Sequence, residues 1–304
     1  MIIGVDHGYG LMKTAHFAFP TGITVYDHEP YSLRNTLKVN DRYYVCGTNR
    51  QSLLREKTEN DNYYLLTLAA LAKEVNLRSV AYEADIVVAA GLPLTSFGLY
   101  KQDFLKYLNR FSRDEPICFE FEGTSYTLRI KDVVLYPQGY SAVVDRIRQL
   151  KQEPSVIVCD IGSWTIDVMR LDNGFPNAEY NRSLELGMIR CFSEISEQVR
   201  RNTGVSITDA QIESVLFKEH CTLPVDITRI IVEYGKAYAA RIISTLLENG
   251  FDIKAVPVIF LGGGAAFMQK FANHKAFCSA EFITDIHANA KGFEAIAKQA
   301  RLDE

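Results

Sequence analysis

One stretch constrains this chain more than any other: Val156-Ile157-Val158-Cys159-Asp160-Ile161-Gly162-Ser163-Trp164-Thr165-Ile166-Asp167. Val156 to Cys159 is a continuous apolar run and predicts a buried strand. Asp160 ends it, and Gly162-Ser163 turns the chain into a second strand. A carboxylate beside an apolar strand is costly unless something pairs with it, and a metal ion is such a partner. Gly162 and Ser163 offer backbone N–H groups that an anion can approach closely. Metal on one side and phosphate on the other point to a nucleotide.

The N-terminus repeats this grammar. Ile2-Ile3-Gly4-Val5-Asp6-His7-Gly8-Tyr9-Gly10 is again an apolar strand, an Asp, one residue and a Gly. Sliding one segment over the other matches Asp6 with Asp160, Gly8 with Gly162 and Ile3 with Ile157. Two such hairpins, one in each half, predict a symmetrical clamp for a metal–polyphosphate.

At 304 residues the chain is long enough for one large or two ordinary domains. Net charge is −4, which argues against a broad nucleic-acid-binding surface. The six cysteines are scattered without a C-x-x-C pair, so neither a disulfide framework nor a zinc ribbon is indicated. Asp6 comes too early for a secretory apolar segment, and no apolar run has the length of a membrane span. These features predict a soluble, cytoplasmic protein without membrane or direct nucleic-acid contacts.

Along the chain, residues 1–50 predict a β-meander: a strand to Asp6, strands over Lys13–Phe19 and Ile23–His28, and a hairpin turning at Asn40-Asp41. A helix over 61–76 has a broad apolar face. The run Asp85–Ala90 predicts a buried strand before Gly91-Leu92-Pro93, followed by a helix over 100–110. A hairpin turns at Glu122-Gly123, a strand covers Val133–Tyr136, and a helix covers 140–150. The second half predicts strands at 155–160, 164–171 and 177–184. Helices follow over 188–203, 208–218 (N-capped by Thr208) and 225–248. A strand over Pro257–Leu261 leads into Gly262-Gly263-Gly264 and a helix to Ala272, then a short strand over 281–284 and a last helix over 289–301. Each half runs strands first, then alternating helix and strand. The expected class is α/β, with two related domains.

Taken together the motifs resemble the actin-like ATPase superfamily, which includes actin, DnaK-type chaperone ATPase domains and hexokinase-type sugar kinases. Five motifs occur in its order. Val5-Asp6-His7-Gly8-Tyr9-Gly10 with Lys13 resembles its first phosphate motif, and Tyr136-Pro137-Gln138-Gly139 its first connecting motif. Val158 to Asp167 resembles the second phosphate motif, Phe260-Leu261-Gly262-Gly263-Gly264-Ala265 the adenosine motif, and Asn289-Ala290-Lys291-Gly292 the second connecting motif. Size and local wording are most similar to the plasmid-segregation actins of the ParM/StbA family: Leu33-Arg34-Asn35-Thr36, Glu59-Asn60-Asp61-Asn62-Tyr63-Tyr64, Gly91-Leu92-Pro93 and Glu185-Leu186-Gly187-Met188.

The resemblance implies an actin-like (ribonuclease H-like) fold with a nucleotide cleft between the domains. Domain I would span 1–150 with the C-terminal segment 285–304 returning to it, and domain II 151–284. It implies ATP with Mg²⁺, the ion held through waters by Asp6 and Asp160, since Mg²⁺ keeps much of its hydration shell. Backbone around Gly8, Tyr9 and Gly10 and around Gly162, Ser163 and Thr165 would cradle the phosphates, with Lys13 neutralising charge; an ordinary exposed strand lysine is the alternative. Gln138 would orient the attacking water, so that Gln138, Asp160 and Asp6 form the catalytic set. Asp167 would support the second hairpin, or be a plain strand-face residue. Gly187 would contact phosphate or ribose through its backbone. Gly262, Gly263, Gly264 and Ala265 would admit the adenosine. A dinucleotide-binding reading fails because Phe267 stands where a third Gly is required, and no glycine-rich segment ends as a P-loop does.

One departure stands out. Many relatives carry Thr-Ala-Glu on the ribose-reading helix with a base three positions beyond the Glu. Here Ala210 and Glu213 fall at those positions, which leaves ATP against GTP open and makes Gln211 and Lys218 candidate substitutes. The resemblance further implies head-to-tail self-assembly into a filament, which does not close, and a ParR-like DNA-binding adaptor on a centromere-like site. Hydrolysis would then time disassembly, because losing the γ-phosphate removes the bridge between the hairpins. The rivals are a small-molecule kinase of the same superfamily, a chaperone-type ATPase and a poorly hydrolysing nucleotide-dependent switch.

Overall fold

The computed structural model describes residues 1–48, 56–79, 81–110, 115–218 and 222–302. Its contacts divide the chain into two compact units, Met1–Asp145 with His287–Glu304, and Arg146–Ile286.

The first unit is built on a nine-stranded sheet. In chain order its elements are β1 (Ile2–His7), β2 (Leu11–Lys13), β3 (Ala18–Pro20), β4 (Ile23–Tyr26), β5 (Thr36–Val39), β6 (Arg42–Cys46), α1 (Asn62–Arg78), β7 (Glu83–Leu92), α2 (Phe97–Leu108), β8 (Ile117–Phe121) and β9 (Thr124–Pro137). The strands lie in the order β3-β2-β1-β7-β9-β8-β5-β6-β4, with β1, β7 and β9 parallel. Of the run Ile86–Ala90, Ile86, Val88 and Ala90 enter the core shared with α1 and α2. Ala89 packs instead with Phe293 and Ala297 of the last helix. Helices on both faces explain why this strand is continuously apolar rather than alternating.

The second unit begins with α3 (Ile147–Leu150), then β10 (Ser155–Ile161), β11 (Ile166–Asp172), β12 (Phe175–Leu184), α4 (Met188–Thr203), α5 (Asp209–Glu213), α6 (Val225–Glu248), β13 (Val258–Leu261), α7 (Ala265–Phe271) and β14 (Ala280–Phe282). Its five strands run β12-β11-β10-β13-β14, with β10, β13 and β14 parallel. This order is that of β3-β2-β1-β7-β9. Both units therefore place their first strand at the centre, its hairpin partner on one side and two parallel strands on the other. The short sequence repeat is the visible trace of that common plan.

The last helix, α8 (Ala288–Leu302), packs on β1 and β7 of the first unit. It fits because glycines stand at the contacts. A Cβ on Gly4 would collide with the Ala290 carbonyl, one on Gly292 with the Ser141 carbonyl, and one on Gly91 with the Phe293 ring. Gly91→Ala is therefore expected to cost about 1–3 kcal/mol through overpacking. Gly98→Ala, in α2 with open space around it, should instead gain about 0.5–1 kcal/mol. Urea denaturation of the two variants checks the contrast.

Four expected elements differ. The single strand over 13–19 is a hairpin, because Thr14 closes a tight turn: its N–H donates to the Phe17 carbonyl at 2.8 Å, and its Oγ1 accepts from the Phe17 N–H at 3.0 Å. The alternating pattern there spans both arms of that hairpin. The separate strand over 133–136 is the end of β9, whose register with β7 shifts between Ile86 and Val87 and so passes an extra residue without breaking. The helix over 140–150 becomes a 3-10 turn over Ser141–Arg146 followed by α3; Gly139 at φ 75° and the Ser141 hydroxyl on the Pro137 carbonyl at 2.7 Å hold its start away from α-helical geometry. The helix over 208–218 stays α-helical only to Glu213 and continues as a π-helical turn, Ser214–Lys218. The last two residues of the meander expected over 1–50 lie outside the described residues.

Candidate functional site

The β1–β2 hairpin is the first half of the site. Asp6 pairs across it with Lys13, and His7 with Met12. Asp6 is 2% exposed, and both its oxygens are engaged: Lys13 Nζ donates to Oδ2 at 2.9 Å and Gln138 Nε2 to Oδ1 at 2.7 Å. Burial pushes the Asp6 pKa up, but the Lys13 ammonium and its hydrogen bond, with Lys57 and His7, outweigh burial and hold the carboxyl below its ordinary value. The residue is a carboxylate at neutral pH. The His7 pKa is also lowered, to about 3, by burial and then by the Lys57 charge; its ring is neutral and shares a hydrogen bond with the Thr67 hydroxyl at 2.8 Å.

Gln138 is aimed by the same contact. A carboxylate only accepts, so the Gln138 amide must turn its NH₂ toward Asp6. The amide oxygen is thereby pointed away, as an acceptor for a neighbouring donor. The chain around it is fixed by the Gln138 N–H on the Leu92 carbonyl and by the Gly139 N–H on Asn289 Oδ1, both at 2.9 Å.

The turn between the strands has its carbonyls tied down. The Tyr63 hydroxyl donates to the Gly8 carbonyl at 3.2 Å, the Thr21 hydroxyl to that of Tyr9 at 2.8 Å, and the Thr21 N–H to that of Gly10 at 3.2 Å. Oxygen lone pairs that would repel an anion are thus consumed within the unit.

The second unit repeats the device with different partners. Asp160 stands opposite Asp167 and Ile161 opposite Ile166; the spacing from Asp6 to Lys13 is the same. The Gly162 N–H closes the turn on the Thr165 carbonyl at 2.9 Å. The carbonyls of Gly162, Ser163 and Trp164 accept from the N–H groups of Met188, Ile189 and Gly187 at 3.2, 2.9 and 2.9 Å. The N-terminus of α4 therefore backs this turn, with the positive end of its dipole toward it.

This packing gives Gly187 its requirement for glycine. A Cβ there would collide with the Ser163 and Trp164 backbone, and the Gly187 carbonyl accepts from the Tyr238 hydroxyl at 3.1 Å. Its N–H thus holds the hairpin through the Trp164 carbonyl, and its carbonyl ties the same point to α6.

Asp160 and Asp167 are directly opposite in an antiparallel pair, so their side chains leave the same face. Like charges there are unfavourable without a compensating cation. Thr165 Oγ1 donates to Asp167 Oδ2 at 3.0 Å. Gly262, at φ 82°, lies under this pair, and a Cβ on it would run into Asp160 Oδ1 and the Ile161 carbonyl. A Cβ on Gly264 would strike the Ile161 side chain, whereas Gly263 is exposed with nothing near. Of the three glycines, Gly263 is the one that internal packing does not account for, and it leaves room for a ligand. Ala265 is fully buried at the start of α7.

Among the described residues no three His, Cys, Asp or Glu side chains gather as a ligand cluster. Each hairpin carries one carboxylate at the matched position, Asp6 in the first unit and Asp160 in the second, and Mg²⁺ bound together with phosphate and water needs only one or two.

The family model described as "Actin like proteins N terminal domain" matches residues 4–140, and that described as "Archaeal actin homologue MreB-like, C-terminal" matches residues 158–273. Two actin-like family models thus match the chain one after the other along its length. Its fold, two α/β sheet domains, is similar to that of Ta0583, an archaeal actin homolog solved in complex with ADP (TM-score 0.75, 22% identity, 98% of this chain and 99% of that chain). It is likewise similar to Bacillus thuringiensis ParM with ATP (TM-score 0.68, 16% identity, 99% of each chain). A third likeness is to the Alp12 filament structure (TM-score 0.67, 17% identity, 99% and 98%). No curated protein matches the chain.

For this actin-like chain, the ribose-helix departure meets a local obstacle. Gln211 forms a capping box with Thr208: its Oε1 accepts from the Thr208 N–H at 2.9 Å, and its N–H donates to Thr208 Oγ1 at 3.2 Å. Gln211 is thereby committed to its own helix start, and Lys218 lies 3.9 Å from Glu213. The sequence reading also passed over Tyr63, Thr21 and Asn289 as holders of the hairpin and of Gln138. Tyr63 and Asn289 stand inside quoted motifs, but only the fold shows which carbonyl or N–H each one meets.

Proposed function

We propose that this protein is a magnesium-dependent ATPase whose nucleotide state controls its assembly into a head-to-tail filament, and that it serves plasmid or DNA segregation through a DNA-binding adaptor. The observation that carries this reading is the pair of matched hairpins, each with a central carboxylate and with three consecutive turn carbonyls withdrawn into hydrogen bonds. In this reading backbone N–H groups of the phosphate turns bind Mg-ATP, with Lys13 on the phosphates and Asp6 and Asp160 as the carboxylates that would hold Mg²⁺ through water. Gln138, steered by Asp6, presents its amide oxygen to the attacking water and positions it without strong base chemistry. Gly262 to Ala265 receive the adenosine.

The nucleotide complexes of Ta0583 and Bacillus thuringiensis ParM and the filament of Alp12 support the reading by likeness of fold. Among the described residues no helix is long and apolar enough to cross a membrane, in keeping with action in the cytoplasm. High-speed sedimentation with Mg-ATP, with Mg-ADP and without nucleotide tests the proposal. Pelleting that requires Mg-ATP is the expected result, and Asp160→Ala should abolish it. Protein that turns over ATP yet stays in the supernatant well above micromolar concentration would instead favour a kinase.

A further inference from the structure

Lys57 belongs to none of the nucleotide motifs, yet it is a cation only 8% exposed behind the first hairpin. Its ammonium lies 5.2 Å from the ring centre of Tyr9 and 5.9 Å from that of Tyr63. Tyr9 is the middle residue of the first turn, and the Tyr63 hydroxyl holds the Gly8 carbonyl. A desolvated cation over aromatic faces is among the stronger cation–π arrangements. One ammonium therefore grips both the turn and the residue that anchors it.

The surroundings say how this charge acts. A cavity of about 40 Å³ lined by Tyr9, Lys57, Thr58, Ser96, Tyr100 and Asp103 adjoins it. Lys57 meets the turn through the faces of the Tyr9 and Tyr63 rings. Its charge is also felt at Asp6 and His7 of the same hairpin.

We propose that Lys57 is a positioning residue of the nucleotide site, holding the Gly8–Gly10 turn in its anion-accepting shape through Tyr9 and Tyr63. The functional half of this inference rests on the nucleotide reading above; the structural half does not.

The test uses the full chain with Lys57→Met, which keeps the apolar stem and removes the charge, and Lys57→Arg, which keeps a cation over the rings. Amide hydrogen exchange without nucleotide comes first. Residues 8–13 should exchange about tenfold faster in Lys57→Met, and Lys57→Arg should restore them. Unchanged exchange at residues 162–166 of the other hairpin shows within the same molecule that the variant is folded. Tyr9→Leu, which removes one ring, should resemble Lys57→Met and serves if that variant does not fold. The KM for Mg-ATP should then rise about tenfold in Lys57→Met with kcat nearly unchanged, again restored by Lys57→Arg.

Equal exchange at residues 8–13 in wild type and Lys57→Met overturns the inference, whatever the nucleotide result. Faster exchange with an unaltered KM overturns it as well. Faster exchange in a protein whose wild type binds no Mg-ATP leaves Lys57 as the holder of the turn and sinks the nucleotide reading alone.

Discussion

Replacing Gln138 with alanine is expected to slow phosphate release from Mg-ATP by about 10²-fold, the scale of losing one positioned reactant, while nucleotide binding is retained. Alanine keeps the backbone held by Leu92 and Asn289 but removes the amide that is hydrogen-bonded to Asp6. Gln138→Glu is expected to do no better. It exchanges an N–H donor at 2.7 Å for a second carboxylate beside Asp6, and two carboxylates at that distance share a proton or repel. Single-turnover phosphate release together with equilibrium nucleotide binding separates the effects. Turnover at the wild-type rate in Gln138→Ala would remove Gln138 from the mechanism, and loss of binding would assign it to the ground state instead.

The second large effect concerns folding. Arg78, near the end of α1, joins two buried acids: Glu74 on its own helix and Glu294 on α8, the latter at 2.6 Å. The Glu74 side chain is wholly buried and also accepts from the His16 N–H at 3.1 Å. Glu294 further accepts from the Gly4 N–H at 3.0 Å and from Lys298 at 3.3 Å. Arg78→Ala removes the guanidinium that both buried carboxylates share and should cost about 3 kcal/mol, or about 10 °C in Tm for a unit of this size.

The pH dependence has a definite sign. Burial raises the Glu74 pKa, but hydrogen bonds from Thr14 and His16 and the Arg78 charge outweigh it, so the folded value lies below the ordinary one. Stability from this group is therefore complete above the ordinary carboxylate pKa and is lost as pH falls through the lowered folded value. Tm measured from pH 7 down to pH 3 should fall, and Arg78→Ala should flatten that fall. An Arg78→Ala protein that melts with the wild type would show the network to be inconsequential.

Much of this protein was legible in its sequence, because the decisive signals are local. A strand ending in Asp-x-Gly is a continuous run of residues, and it occurs twice. The turns at Asn40-Asp41 and Glu122-Gly123 are marked by residues that tolerate positive φ. The helices expected over 188–203 and 225–248 are present at those residues, and in the structure Gly187, Gly204 and Pro224 flank them. Where the reading slipped, the winning interaction was one that a periodic pattern does not encode. Thr14 folds a three-residue arm back on itself, and Ser141 with Gly139 keeps the residues after Gln138 from forming a regular helix.

The sequence by itself determined the two-fold α/β plan, the matched carboxylates and the glycines that ring them, since these follow from hydrophobic period and backbone permissiveness within short windows. Only the tertiary structure decided what those residues touch. It set Lys13 and Gln138 on the two oxygens of Asp6, packed Gly187 against the second hairpin and placed Gln211 in a capping box with Thr208. It also pressed α8 onto Gly4 and Gly91 and buried Lys57 against Tyr9. The reason is physical: whether a buried polar atom finds its partner depends on residues up to 290 positions away in the chain, and no local pattern records that distance.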